Sequence, residues 1–160
     1  MSRKPQREGG PVPPPEPLAV PVVDAHCHLD LMDGAPEDAL AAARSVGIRT
    51  VVSVGVDVET SQWQADLAAR LPDVWAAVAI HPNEAGAGRA TDEALRAIEA
   101  LAARPEVRAV GETGLDHFRT ETEAGHRLQE ESFRAHLAIA KATGQPLMIH
   151  DRDAHEDVLR

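Results

Sequence analysis

From Val20 onward, apolar and polar positions alternate between two rhythms. Short runs rich in β-branched residues, Val20 to His26, Thr50 to Val56, Val74 to Ile80, Val107 to Gly111 and Pro146 to Ile149, predict strands. The stretches between them, Pro36 to Val46, Ser61 to Arg70, Thr91 to Ala103 and Glu123 to Thr143, are amphipathic or alanine-rich and predict helices. In the last of these, Phe133, Leu137 and Ala140 fall at i, i+4 and i+7, a stripe suited to burial against a sheet. Local signals mark the limits. Pro36 suits a first helical position, Gly47 and Gly144 suit helix C-termini, and Asp153 with Glu156 resembles a capping box opening a further helix. Strand and helix in uninterrupted alternation imply a parallel sheet with right-handed crossovers, whose chemistry gathers beyond the carboxyl ends of the strands.

The first stretch has a different character. Met1 to Leu18 holds six prolines and almost no large apolar group, so burial cannot offset the cost of ordering it; a disordered tail is expected there, with one domain over residues 19–160. A length of 160 residues supports a core but falls short of the roughly 250 that a (β/α)8 barrel needs. With 26 acidic and 16 basic residues the net charge is −10, which argues against broad attraction to nucleic acid and means that a polyanionic substrate would require bound cations. One cysteine leaves no internal disulfide partner, no apolar run approaches the ~20 residues of a membrane span, and no signal peptide is visible, so the expected compartment is the cytoplasm.

Candidate chemistry clusters at the predicted strand ends. Strand one ends in His26-Cys27-His28, and the period of two puts both imidazoles on one face, the start of a metal site. Alternation points Cys27 away from them, as a small core residue. Strand three gives His81-Pro82-Asn83, strand four Gly111-Glu112-Thr113-Gly114-Leu115-Asp116, and strand five Ile149-His150-Asp151-Arg152. A carboxylate between glycines, as at Glu112, is free of bulky neighbours and able to bridge two cations, the element a dinuclear hydrolytic centre needs. Arg152 is equally suited to clamp a phosphate or to pair with Asp151 or Asp153. Asp24 and Asp30 read as supporting or capping groups, and His117, His126, His136 and His155 as surface or helix residues.

These words, together with Gln129 through Phe133 to His136-Leu137-Ala138-Ile139-Ala140 and the run Pro146 to Ala154, resemble the TatD family of metal-dependent deoxyribonucleases, within the amidohydrolase-like group of TIM-barrel hydrolases. The likeness runs in family order from about residue 20 to the last residue. It implies an incomplete TIM-type (β/α)8 barrel with the first five βα units present. It also implies that His26 and His28 bind one divalent cation (Mg²⁺, Mn²⁺ or Zn²⁺), that Glu112 bridges two and that His150 binds the second; His81 and Arg152, from their places at the strand ends, are the candidates for contacting substrate. A strand-six histidine and a strand-eight aspartate, the latter the expected general base, would lie beyond this sequence, so none of its residues is assigned that role. His117-Phe118 stands where the family often has tyrosines, a change to the pocket wall more than to the chemistry.

The implied activity is two-cation hydrolysis of phosphodiesters, with single-stranded DNA ends as the substrate favoured by the acidic balance. Two rivals stand beside it. The same ligand set could polarise a carbonyl, as in a small-molecule amidohydrolase or lactonase. Alternatively, five strands cannot close an eight-stranded barrel, so the chain would be a truncated, inactive half-barrel or one needing a complementary C-terminal half, with exposed edges at strands one and five.

Overall fold

The computed structural model describes residues 13–160, so the first twelve residues of the tail expected over Met1 to Leu18 lie outside the described residues. Residues 13–18 carry no regular element, and Leu18 N–H donates to the Val46 carbonyl at 2.9 Å.

Five parallel strands lie side by side in sequence order: β1 (Val22–Cys27), β2 (Ile48–Val54), β3 (Val74–Val78), β4 (Val107–Asp116) and β5 (Leu147–Arg152). Helices α1 (Pro36–Ser45), α2 (Val58–Arg70), α3 (Pro82–Gly86), α4 (Asp92–Ala102), α5 (Glu123–Thr143) and α6 (His155–Val158) follow the strands, and a 3-10 turn (Leu29–Leu31) leads out of β1. The result is an arc of a parallel βα barrel made of five units, as expected from the alternation. The edge strands β1 and β5 leave Val23 and Ile149 exposed. No helix among the described residues is long and apolar enough to cross a membrane.

One face of the sheet packs Val51, Val74, Val78, Ile80 and Val110 against Leu67, Ile98 and Ile139 of the helices, the main apolar core. The opposite face buries the smaller set Val54, Ala77 and Ala109. Ala76, Ala77 and Val78 divide between the two by strand alternation.

Several local expectations change. α2 starts at Val58 instead of Ser61 because Asp57 and Thr60 form a reciprocal capping box, with the Asp57 carboxylate accepting from Thr60 N–H at 2.8 Å. The short α3 falls below the length at which periodicity is visible. The capping box expected at Asp153 and Glu156 does not form: Ala154 precedes α6 without a side-chain cap, and Asp153 has φ +55°, whereas an N-cap needs extended backbone. On α5 the buried positions are Gly125, Gln129, Ser132, Phe133, His136, Ile139 and Ala140, and Leu137 is only partly covered. Polar groups enter that stripe because each is hydrogen-bonded, as at His136, which is fully buried and not a surface residue.

The largest difference is β4, which continues five residues past Gly111 to Asp116. Gly111 and Gly114 do not end the strand; they let β5 approach it. A Cβ on Gly114 would sit 2.1 Å from the His150 carbonyl oxygen, and one on Gly111 would sit 2.4 Å from Met148 Cβ. The glycines flanking Glu112 therefore serve the β4–β5 contact more than the freedom of its carboxylate.

Candidate metal centre

The register places the polar strand ends at one rim. Gly114 pairs with His150 and Asp116 with Arg152, so β4 and β5 present their functional groups side by side. Glu112 lies at the centre. Its Oε1 is 2.9 Å from His150 Nδ1, while its Oε2 is 3.6 Å from His26 Nε2 and 3.8 Å from His81 Nε2. His26 and His28 bring their Nε2 atoms to 3.3 Å of each other even though His28 has already left β1. The donor atoms of His26, His28 and Glu112 lie within 4.8 Å of one another, as do those of His81, Glu112 and His150. The five residues far apart in sequence are thus brought together; Arg152, the sixth candidate, lies at the end of β5, with its guanidinium carbon 3.9 Å from the Phe118 ring centroid.

Hydrogen bonds behind the imidazoles sort their roles. His28 Nδ1 donates to the Val54 carbonyl at 2.8 Å, which leaves Nε2 with its lone pair facing the centre, the tautomer a metal ligand requires. At His81 the polarity is reversed. Its Nδ1 accepts from Asn83 N–H at 3.1 Å, so the neutral ring carries its proton on Nε2 and presents a donor toward Glu112. Burial, and then the neighbouring His150, lower the His81 pKa and favour that neutral form.

His150 sits between two carboxylates, with Nε2 3.2 Å from Asp116 Oδ2. The hydrogen bond to Glu112 raises its pKa against the opposing effect of burial. For Glu112, burial acts upward, but the bond from His150 and the surrounding imidazoles outweigh it and the carboxylate pKa is lowered. Glu112 is thereby kept ionised at the centre of the surrounding imidazoles, a charge pattern suited to a cation.

Asp116 is the residue whose part sequence reasoning missed. Only 1% exposed, it accepts from Arg119 N–H at 2.8 Å through Oδ1 while Oδ2 faces His150, a carboxylate behind a candidate ligand histidine. Gln129 of α5 holds its backbone, accepting from Asp116 N–H at 3.0 Å. The available signal was the even spacing from Glu112 to Asp116, two strand repeats on one face, hidden by reading Gly111 as a strand end.

The other assignments settle locally. Asp24 accepts from His26 N–H at 3.1 Å, and Asp30 accepts from Gln64. Cys27 packs against the core, with its Sγ 3.5 Å from the Val52 carbonyl, and burial raises its thiol to about 11. His117 stacks on His126 with ring centroids 4.0 Å apart, and exposed His155 pairs with Asp151 at 2.7 Å.

A parallel βα arc with imidazoles converging on one carboxylate at its carboxyl rim defines a class, the metal-dependent hydrolase barrels. The profile described as TatD related DNase matches residues 23–160, and the chain belongs to that family. It is 42% identical over 145 residues to a Mycobacterium tuberculosis protein described as an uncharacterized metal-dependent hydrolase TatD, covering 86% of this chain and 54% of that one. It is 37% identical over 126 residues to a Salmonella typhimurium protein described as a 3'-5' ssDNA/RNA exonuclease TatD, covering 77% of this chain and 46% of that one. The crystal structure of YJJV, a TatD homologue from Escherichia coli K12, superposes with a TM-score of 0.77 at 26% identity, over 85% of this chain and 52% of the other. A TatD family hydrolase from Entamoeba histolytica, at 17% identity and TM-score 0.68, shares the fold. The chain spans about half the length of the relatives it matches.

Proposed function

We propose that this protein is a metal-dependent phosphodiesterase that trims single-stranded nucleic-acid ends, with two divalent cations as cofactors. The observation that carries this reading is the position of Glu112, with one oxygen toward His26 and the other toward His150. The donor set fits cations: neutral imidazoles with a fixed tautomer at His28, and a carboxylate with two differently directed oxygens. His26, His28 and Glu112 would hold one ion, and Glu112 with His150 the other. Bound there, divalent cations would supply the positive charge that acidifies water and offsets a phosphodiester in a chain of net charge −10.

The chain's own groups do the rest. His81 Nε2–H is directed toward the centre as a neutral donor for an anionic phosphate oxygen. Asp116 holds the His150 ring and keeps its Nε2 proton, leaving Nδ1 on the Glu112 side. The single-strand preference is supported by the net charge of −10, which disfavours a long duplex track, and by the Salmonella relative's description.

The test is metal content after exhaustive dialysis, combined with turnover of end-labelled single-stranded oligonucleotide in Mg²⁺ or Mn²⁺, set against ester and amide panels. Metal uptake with stepwise shortening of the oligonucleotide is expected. Turnover of amides or lactones with no nucleic-acid cleavage would replace the nuclease reading by an amidohydrolase one, and no metal uptake would overturn both.

A further inference from the structure

We propose that Phe118, braced by Arg152, is a stacking platform for a nucleobase at the mouth of the site; the proposal rests on the single-strand nuclease reading above. Aromatic residues are scarce in this chain, which has two phenylalanines, two tryptophans and no tyrosine. Phe133 is buried in the core, whereas Phe118 is 56% exposed just past the end of β4. Its ring is not idle. The Arg152 guanidinium carbon lies 3.9 Å from the ring centroid, a cation–π contact that covers one face and leaves the exposure on the other face and the rim.

Position ties this pair to the candidate centre. Arg152 is two residues beyond His150 on β5, on the same face by strand alternation and about 6.6 Å farther along. Phe118 is two residues beyond Asp116, whose carboxylate contacts His150, and His117 N–H donates to the Arg152 carbonyl at 2.9 Å, which pins the two strand ends together. Arg152 makes no ion pair among the described residues. Asp151 is engaged by His155, so the guanidinium keeps its N–H donors for a phosphate while its plane supports the ring.

The chemistry recognised is a base with its adjoining phosphate in a single strand. Every base has a π-face, so stacking on Phe118 would be tolerant of sequence. It would also supply affinity where side-chain charge does not, since the chain as a whole repels a polyanion.

The experiment measures fluorescence anisotropy in Mn²⁺ with a labelled oligothymidylate whose phosphorothioate linkages resist cleavage, and with a matched oligomer abasic at its three terminal nucleotides. Wild-type protein is expected to bind the base-bearing oligomer more tightly. Phe118→Leu is expected to raise Kd for that oligomer by roughly 5- to 150-fold and erase the preference, and Phe118→Trp to retain both. Unchanged affinity and preference in a folded Phe118→Leu variant would overturn the platform. So would equal wild-type affinity for the two oligomers, a result that does not depend on any variant folding. Cleavage of the unmodified oligomer is scored separately, so an enzyme that cuts single strands without discriminating abasic ends rejects the platform and keeps the nuclease reading.

Discussion

The two sides of the candidate centre are built differently. His26 lies on, and His28 just past, an edge strand that pairs only with β2, in a register that slips between Val22 and Val23 and again between Asp24 and Cys27. Glu112 and Asp116 come from the far end of the inner strand β4, which there pairs with β5, and His150 is wedged between their carboxylates. The edge half depends on two bonds from β2: His28 Nδ1 to the Val54 carbonyl and Leu29 N–H to Ser53 Oγ at 3.1 Å. The central half is held from behind by α5, through Gln129 at Asp116 and through His136, whose Nε2 accepts from Ile80 N–H at 3.0 Å. A ligand set needs some groups fixed before the ion arrives and tolerates others that close on it; here burial of Asp116 and the two carboxylates flanking His150 assign the fixed part to β4 and β5.

The largest effect is expected where the halves meet. Glu112→Gln removes the one group that faces both sides, and oligonucleotide cleavage should fall at least about 100-fold, with metal content after dialysis dropping in parallel. Retained metal at wild-type stoichiometry would show that the two halves do not share this carboxylate.

Asp116→Asn acts on one half only. It weakens the acceptor behind His150 and should reduce metal affinity by about 10- to 100-fold at that side, read as the loss of one phase in a Mn²⁺ titration while the phase belonging to His26 and His28 persists. Equal weakening of both phases would mean that the halves are one cooperative unit.

The smallest effect falls on the support behind β3. His136→Gln should destabilise the protein by about 1–3 kcal/mol in denaturant midpoints at pH 7.5, because it leaves the buried Ile80 N–H poorly paired. Burial lowers the His136 pKa below its ordinary 6.5. The unfolded chain therefore binds more protons than the folded one between these values, and the stability owed to neutral His136 is complete above pH 6.5 and declines as the pH falls below it. The gap between wild type and variant should accordingly narrow at pH 5.5, and a gap that widens would contradict a buried neutral imidazole.

Much of the fold could be read without coordinates because its signals are local. Pro36 at the first turn of α1, Gly144 in the left-handed conformation (φ +69°) closing α5, and β-branched runs at five places all report on the few residues around them. The rim could be read for the same reason: in a parallel βα chain, whatever ends a strand ends at one edge of the sheet. What escaped was carried by distant partners. Asp116 and His136 have unremarkable neighbours in sequence; only the pairing of β4 with β5 makes one the support of His150, and only the docking of α5 makes the other the acceptor of Ile80 N–H.

The order of residues alone determined an alternating βα chain and gathered His26, His28, His81, Glu112 and His150 at one edge, because side-chain period and strand direction are properties of the backbone. Only the folded molecule decided which imidazole nitrogen carries a proton, which carboxylate stands behind which ring, and that the glycines of β4 admit β5. Those outcomes depend on atoms brought within about 3 Å from positions tens of residues apart, and hydrogen bonding and steric exclusion act only at that range.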